Sequence, residues 1–148
     1  MKIVIGSDHA GFILKEALKK YLEELGHEVE DKGAFSLDPE DDYPDFMIPA
    51  AEAVAKDPEN IRGILIGGSG QGEAMVANRF AGVRAAVYYG GNKEIVRLSR
   101  EHNNANMLAL GARFMSADEA KHALEVWLCT PFPAPDGGRH VRRIAKFP

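Results

Sequence analysis

Glu73 closes the run Ile64-Leu65-Ile66-Gly67-Gly68-Ser69-Gly70-Gln71-Gly72-Glu73: an apolar strand, a glycine-dense turn, then a carboxylate where a helix begins. Four glycines in the six positions 67–72 let backbone N–H groups approach a ligand closely, and a helix start adds partial positive charge. Such a turn suits an anion or a developing oxyanion. Glu73 falls at the helical spacing of Val76, Ala77 and Phe80, so it shares their inward face. Two readings stay open. One is a first-turn acid favoured by the helix dipole; the other is a general base whose proton affinity burial raises and the helix terminus lowers.

Other residue types suited to chemistry are scattered along the chain. His102 ends a helix whose inward stripe is expected to include Ile95 and Leu98, as a capping imidazole or as an acid–base group. Asp8-His9 lies in the loop Ser7–Gly11 after the first strand, either a structural turn or part of a site. His27 and His122 read as surface residues. Arg139-His140-Val141-Arg142-Arg143 is a cationic run that is either solvated or a phosphate clamp. Arg139 and Arg143 are one helical turn apart, and Arg113 could join them from another direction. Apart from Asp41-Asp42, no His/Asp/Glu pair has a recognisable metal-ligand spacing, so no metal is expected. The glycine turn lacks the lysine and hydroxyl of a nucleotide-triphosphate loop, with Glu73 near where that lysine would fall. Cys129 is the only cysteine, which excludes an internal disulfide, and it is expected to be buried beside Trp127 and Leu128.

These groups need a scaffold, and the periodicity supplies one. Strands are expected at Ile3–Ile5, Glu28–Asp31, Ile64–Ile66, Ala85–Tyr88 and Met107–Leu110. Helices are expected over Phe12–Leu25, from Tyr43-Pro44-Asp45 to Ala55, Glu73–Phe80, Lys93–His102 and Asp118–Leu128. The alternation predicts an α/β protein with a mainly parallel five-stranded sheet and right-handed crossovers. Ligands of such sheets bind outside the carboxyl ends of the strands, where Ser7–Gly11, Gly67–Gly72 and the segment after Val87 would lie. Ser36–Asp42 reads as an acidic surface loop, and Pro131–Gly138 as the start of a tail that is not helical before Arg139. The 148 residues fit one domain over 1–148, able to bury roughly two-thirds of its extended surface. With 18 basic against 22 acidic residues the net charge is −4, which gives nucleic-acid or anionic-membrane binding no support. The chain runs directly into Lys2–Gly6 without an export segment, and no apolar run approaches the ~20 residues of a membrane span, so a cytoplasmic location is expected.

Gly6-Ser7-Asp8-His9-Ala10-Gly11, Asp42-Tyr43-Pro44-Asp45, Gly67–Glu73, Ala77-Asn78-Arg79, Arg100–Asn106 and Gly138-Arg139-His140 occur in one order. In this ordered set, nearly end to end, the chain resembles the type B ribose-5-phosphate isomerases. Their wider family also holds isomerases of galactose 6-phosphate, allose 6-phosphate and tetrose phosphates. The resemblance implies a metal- and cofactor-free aldose–ketose isomerase on a Rossmann-like three-layer sandwich. It also implies a dimer or dimer of dimers whose active sites are shared between subunits. Carried over by position, it makes Glu73 the proton acceptor and His102 the group that helps open the sugar ring. Asp8, His9, Gly68, Ser69, Gly70, Gln71, Gly72, Asn103, Arg113, Arg139 and Arg143 would bind substrate, the turn's amides facing the enediolate and the arginines the phosphate. Many members carry a cysteine base where this chain has Gly67 and an apolar residue where it has Glu73; this chain is similar to the glutamate subgroup. Isomerisation of a different phosphosugar and a non-enzymatic phosphosugar- or nucleotide-binding module are the alternatives. Glu73 weighs against the module, because a pure anion site gains nothing from an added carboxylate.

Overall fold

A computed structural model describes residues 1–133 and 138–148. The elements in chain order are β1 (Lys2–Ser7), α1 (Phe12–Glu24), β2 (Glu28–Asp31), α2 (Pro44–Lys56), β3 (Ile61–Gly67) and α3 (Gln71–Ala77). Then follow β4 (Ala85–Tyr88), α4 (Glu94–Asn103), β5 (Met107–Gly111), α5 (Ala117–Cys129) and α6 (Arg139–Ile144). The five strands form one sheet in the order β2-β1-β3-β5-β4. Every pairing is parallel, so the expected "mainly" parallel sheet is parallel throughout.

Buried apolar runs in β1, β3 and β5 explain the layers, because a strand covered on both faces needs no polar alternation. Ile3, Ile5, Ile64, Ile66, Leu108 and Leu110 pack against α1, α4 and α5 on one face. Val4, Leu65, Met107 and Ala109 pack against α2 and α3 on the other. This is the three-layer, Rossmann-like α/β sandwich. Neighbouring strands β1 and β3 send their helices, α1 and α3, to opposite faces, so a crevice opens between the loops that follow them. Among the described residues no helix is long and apolar enough to cross a membrane.

Boundary differences have local causes. α3 stops at Ala77 instead of Phe80 because the Asn78 side chain takes a strand-like role: it accepts from the Ala85 amide (2.8 Å) and donates to the Ala85 carbonyl (3.0 Å). Two expectations are corrected. The inward stripe of α4 is Val96, Ser99 and Arg100, whereas Ile95 is 58 % exposed. Cys129 is exposed, since the buried stripe of α5 is Ala120, Ala123, Leu124 and Trp127 and position 129 turns off it. Of the tail expected over Pro131–Gly138, positions 134–137 lie outside the described residues.

Candidate active site

At the carboxyl edge of the sheet the turn after β3 has the shape that the sequence demands. Gly70 caps α3 in the left-handed region (φ 79°), a conformation that disfavours a side chain. Gly67 matters for a different reason: a Cβ there would overlap Oε1 of Glu73 and push the carboxylate away. The carboxylate therefore rests on the bare Cα of the strand's last residue. Glu73 is 4 % exposed, and burial, with the nearby Asp8 charge adding to it, raises its pKa above the ordinary 4.5. The backbone amides of Glu73 and Gly70 pull the other way. Tyr43 packs its ring onto Gly72, and the Arg113 guanidinium lies against Gly68. The Arg113 amide donates to the Gly68 carbonyl (3.2 Å), which ties the loop after β5 to the turn. Gln71 N–H donates to Ser69 Oγ at 3.4 Å.

The loop after β1 faces this turn across the crevice. Buried Asp8 closes its own loop by accepting from Gly11 N–H (3.1 Å). His9 Nδ1 lies 2.6 Å from Oδ1 of Asp41, and that bond raises the His9 pKa above 6.5. Asp8, His9 and Asp41 each offer a ligand atom, all within 4.8 Å of one another, a grouping that spacing along the chain concealed. Atoms that share one metal ion stay about 3 Å apart. At 2.6 Å, Nδ1 and Oδ1 instead share a proton.

The remaining expected site residues form a second group. α4 starts after β4 at the carboxyl edge and runs back, so the turn that follows it lies at the amino edge. The Asn106 amide donating to the Arg84 carbonyl (3.1 Å), just before β4, fixes that placement. His102 and Asn103 are there, about 15 Å of helix away from the carboxyl edge. α6 packs against α4, and the His140 ring stacks on His102 with centroids 4.3 Å apart and planes 6° from parallel. Arg139 Nε donates to His140 Nε2 at 3.3 Å. Partial desolvation and the neighbouring His102, Arg139 and Arg143 lower the His140 pKa below 6.5. Arg139 and Arg143 are exposed on α6, which buries none of its residues.

One chain thus brings Asp8, His9, Gly68–Gly72, Glu73 and Arg113 together, and it holds His102, Asn103, Arg139 and Arg143 together elsewhere. Sequence reading left Asp41 in a surface loop and did not place His140 on His102. Asp41 gave no local signal, because its partner is 32 residues away.

A buried carboxylate of raised proton affinity, set against backbone amides at the switch point of a parallel α/β sheet, is an arrangement suited to acid–base chemistry. The family model described as Ribose/Galactose Isomerase matches residues 3–147, and the chain belongs to that family. It is 44% identical over 145 residues to the ribose-5-phosphate isomerase B of Mycolicibacterium paratuberculosis, covering 97% of this chain and 87% of that protein. It is 43% identical over 143 residues to the Escherichia coli protein of that name, covering 97% and 91%. A crystal structure of ribose-5-phosphate isomerase B from Mycoplasma genitalium with bound ribulose-5-phosphate superposes with a TM-score of 0.91 at 39% identity, covering 98% and 92%.

Proposed function

We propose that this chain, as one domain over 1–148, interconverts ribose 5-phosphate and ribulose 5-phosphate by proton transfer through a cis-enediolate. The observation that carries the reading is the Glu73 carboxylate, buried on Gly67 beside the glycine turn and raised in proton affinity. A base of this kind takes the proton from C2 of the open-chain aldose and returns it to C1. Amides of Ser69–Gly72 line the turn where negative charge would develop on the carbonyl oxygen. Asp8, His9 and Arg113 complete this half of the site. The names of the relatives, and the product-bound neighbour, support ribose 5-phosphate over other phosphosugars.

His102, Asn103, Arg139 and Arg143 are the second half. An imidazole can donate or accept at the ring oxygen or anomeric hydroxyl near neutral pH, which suits His102 to ring opening. Two guanidiniums one turn apart suit a phosphate, whose binding energy would position the reacting carbons. Their place at the opposite edge of the sheet supports an active site completed by a second copy of the chain, in a dimer or dimer of dimers. A phosphorylated sugar is too charged to cross a bilayer unaided, which supports a cytoplasmic setting.

The test is turnover of pentose, hexose and tetrose phosphates in D₂O with a chelator present. Ribose 5-phosphate should be converted fastest, with solvent deuterium entering at the carbon that receives the proton. Turnover of none of the aldose phosphates would overturn the reading, and a hexose or tetrose preference would reassign the substrate.

A further inference from the structure

Asp41 lies in an acidic loop whose other residues from 36 to 42 are exposed, yet its side chain is only 8 % exposed and lies on His9. Two groups of His9 donate to the same oxygen, Oδ1: the backbone N–H at 3.1 Å and ring Nδ1 at 2.6 Å. A shared acceptor fixes the ring relative to its own backbone. The loop is anchored before it reaches this point. Ser7 N–H donates to the Gly33 carbonyl (2.6 Å) and Ala34 N–H to the Ser7 carbonyl (2.7 Å), so the chain after β2 stays beside the loop that holds His9. Within the acidic segment, the Asp38 side chain accepts from Glu40 N–H (3.0 Å) and the Asp38 carbonyl from Asp41 N–H (3.2 Å). Oδ2 of Asp41 is buried and has no hydrogen-bond partner among the described residues, so His9 does not share the carboxylate with another donor.

We infer that Asp41 is a positioning residue: it holds the Nδ1 proton of His9 and thereby presents Nε2–H to an anionic oxygen of the phosphosugar. The inference rests on the phosphosugar reading of this site. A carboxylate on one ring nitrogen fixes the orientation of an imidazole and raises its basicity. The charged groups facing His9 are Asp41 and Asp8, which favour the imidazolium, and Arg113, which opposes it; the net direction is upward from 6.5. The raised proton affinity extends the pH range over which His9 is an imidazolium that donates from Nε2, and charge-assisted donation favours an anionic oxygen over a neutral hydroxyl.

Asp41→Asn in the full-length chain keeps the side-chain shape and removes the charge. Nitrogen NMR of the ring, assigned with His9→Gln, reads its tautomer and titration directly. The expected result is a lower His9 titration midpoint, since the charge that favours the imidazolium is gone. KM for ribose 5-phosphate should rise by about ten-fold at neutral pH with kcat little changed, because one charge-assisted contact is weakened. The KM gap should close as pH falls and His9 becomes charged without help, and Asp41→Glu should recover part of it. An unchanged His9 titration would overturn the clamp, and a shifted titration with unchanged KM would overturn its part in binding. A wild-type chain inactive on every aldose phosphate, with the titration shifted as expected, is instead a failure of the functional reading.

Discussion

The two halves of the candidate site are built on opposite principles. At the carboxyl edge, Glu73 and Asp8 are nearly inaccessible, and His9 is held by Asp41. The chain alone determines the position of each. At the amino edge, Arg139 and Arg143 stand exposed on a six-residue helix, and His102 is held by one stacked imidazole. Proton transfer tolerates little misplacement, whereas a flexible cation can adjust to a phosphate. The contrast fits a fixed base on one chain and a clamp that a second chain brings to the substrate.

The sharpest way to break this contrast is to neutralise the fixed half. Glu73→Gln should lower kcat by about 10² to 10⁴, the span of a lost general base. The same substitution should stabilise the fold at neutral pH. A carboxyl whose folded pKa is raised binds its proton more tightly folded than unfolded, so wild-type stability falls as pH climbs from 4.5 through the raised value. Thermal melts should show Gln above wild type at pH 7 and equal to it below pH 4.5, and a Gln variant that melts lower at pH 7 would count against a buried, proton-affine Glu73. Next in size is Gly67→Ala, whose Cβ takes the space of Oε1 and displaces the carboxylate. A displacement on the order of 1 Å should cost about 10 to 10² in kcat, with thiol reagents remaining without effect on the wild type.

Smaller effects are expected at the exposed half. Arg139→Ala and Arg143→Ala should each raise KM by about ten-fold, the loss of one charge-assisted contact, while the ligand-free melting temperature stays put. Unchanged KM in both would make α6 a solvated tail. Smallest is the directional effect of His102→Asn. Initial rates from ribose 5-phosphate should fall by about a few-fold more than those from ribulose 5-phosphate, which cannot form the same furanose and needs no ring opening. Equal losses would move His102 to the shared proton-transfer step.

Much of the fixed half was legible in the sequence because its signals are local. The glycine turn, the inward spacing of Glu73 with Ala77 and the strand-helix alternation all act within one element and its neighbour. The reason for Gly67 was not legible, since the overlap with Oε1 appears only when α3 folds back on the end of β3. A side chain at 67 would push the carboxylate of Glu73 out of the position it holds on the end of β3. The face of α4 was misread because Ile95 and Leu98 are its conspicuous apolar residues, while Ser99 and Arg100 are buried by hydrogen bonds. Arg100 donates to the Ala105 carbonyl (2.5 Å) and to Asn104 Oδ1 (2.9 Å), and Ser99 to the Val96 carbonyl (2.7 Å). Asp41 was missed for want of any periodic or motif signal.

The proposed division of labour between two copies is tested most directly by mixing two defective chains. Glu73→Gln and His102→Asn are each assayed alone on ribose 5-phosphate, then unfolded together in equal amounts and refolded. A hybrid dimer carries one site with both defects and one site with neither. Random pairing leaves about one site in four with neither defect, so activity per chain should rise to about one quarter of wild type plus the contribution of the His102→Asn homodimers, above the average of the two variants. Recovery to that level is the result expected of half-sites on separate subunits. If the mixture forms hybrids yet gives no more than the average of the two variants, Glu73 and His102 do not meet across an interface, and the two-copy site is wrong.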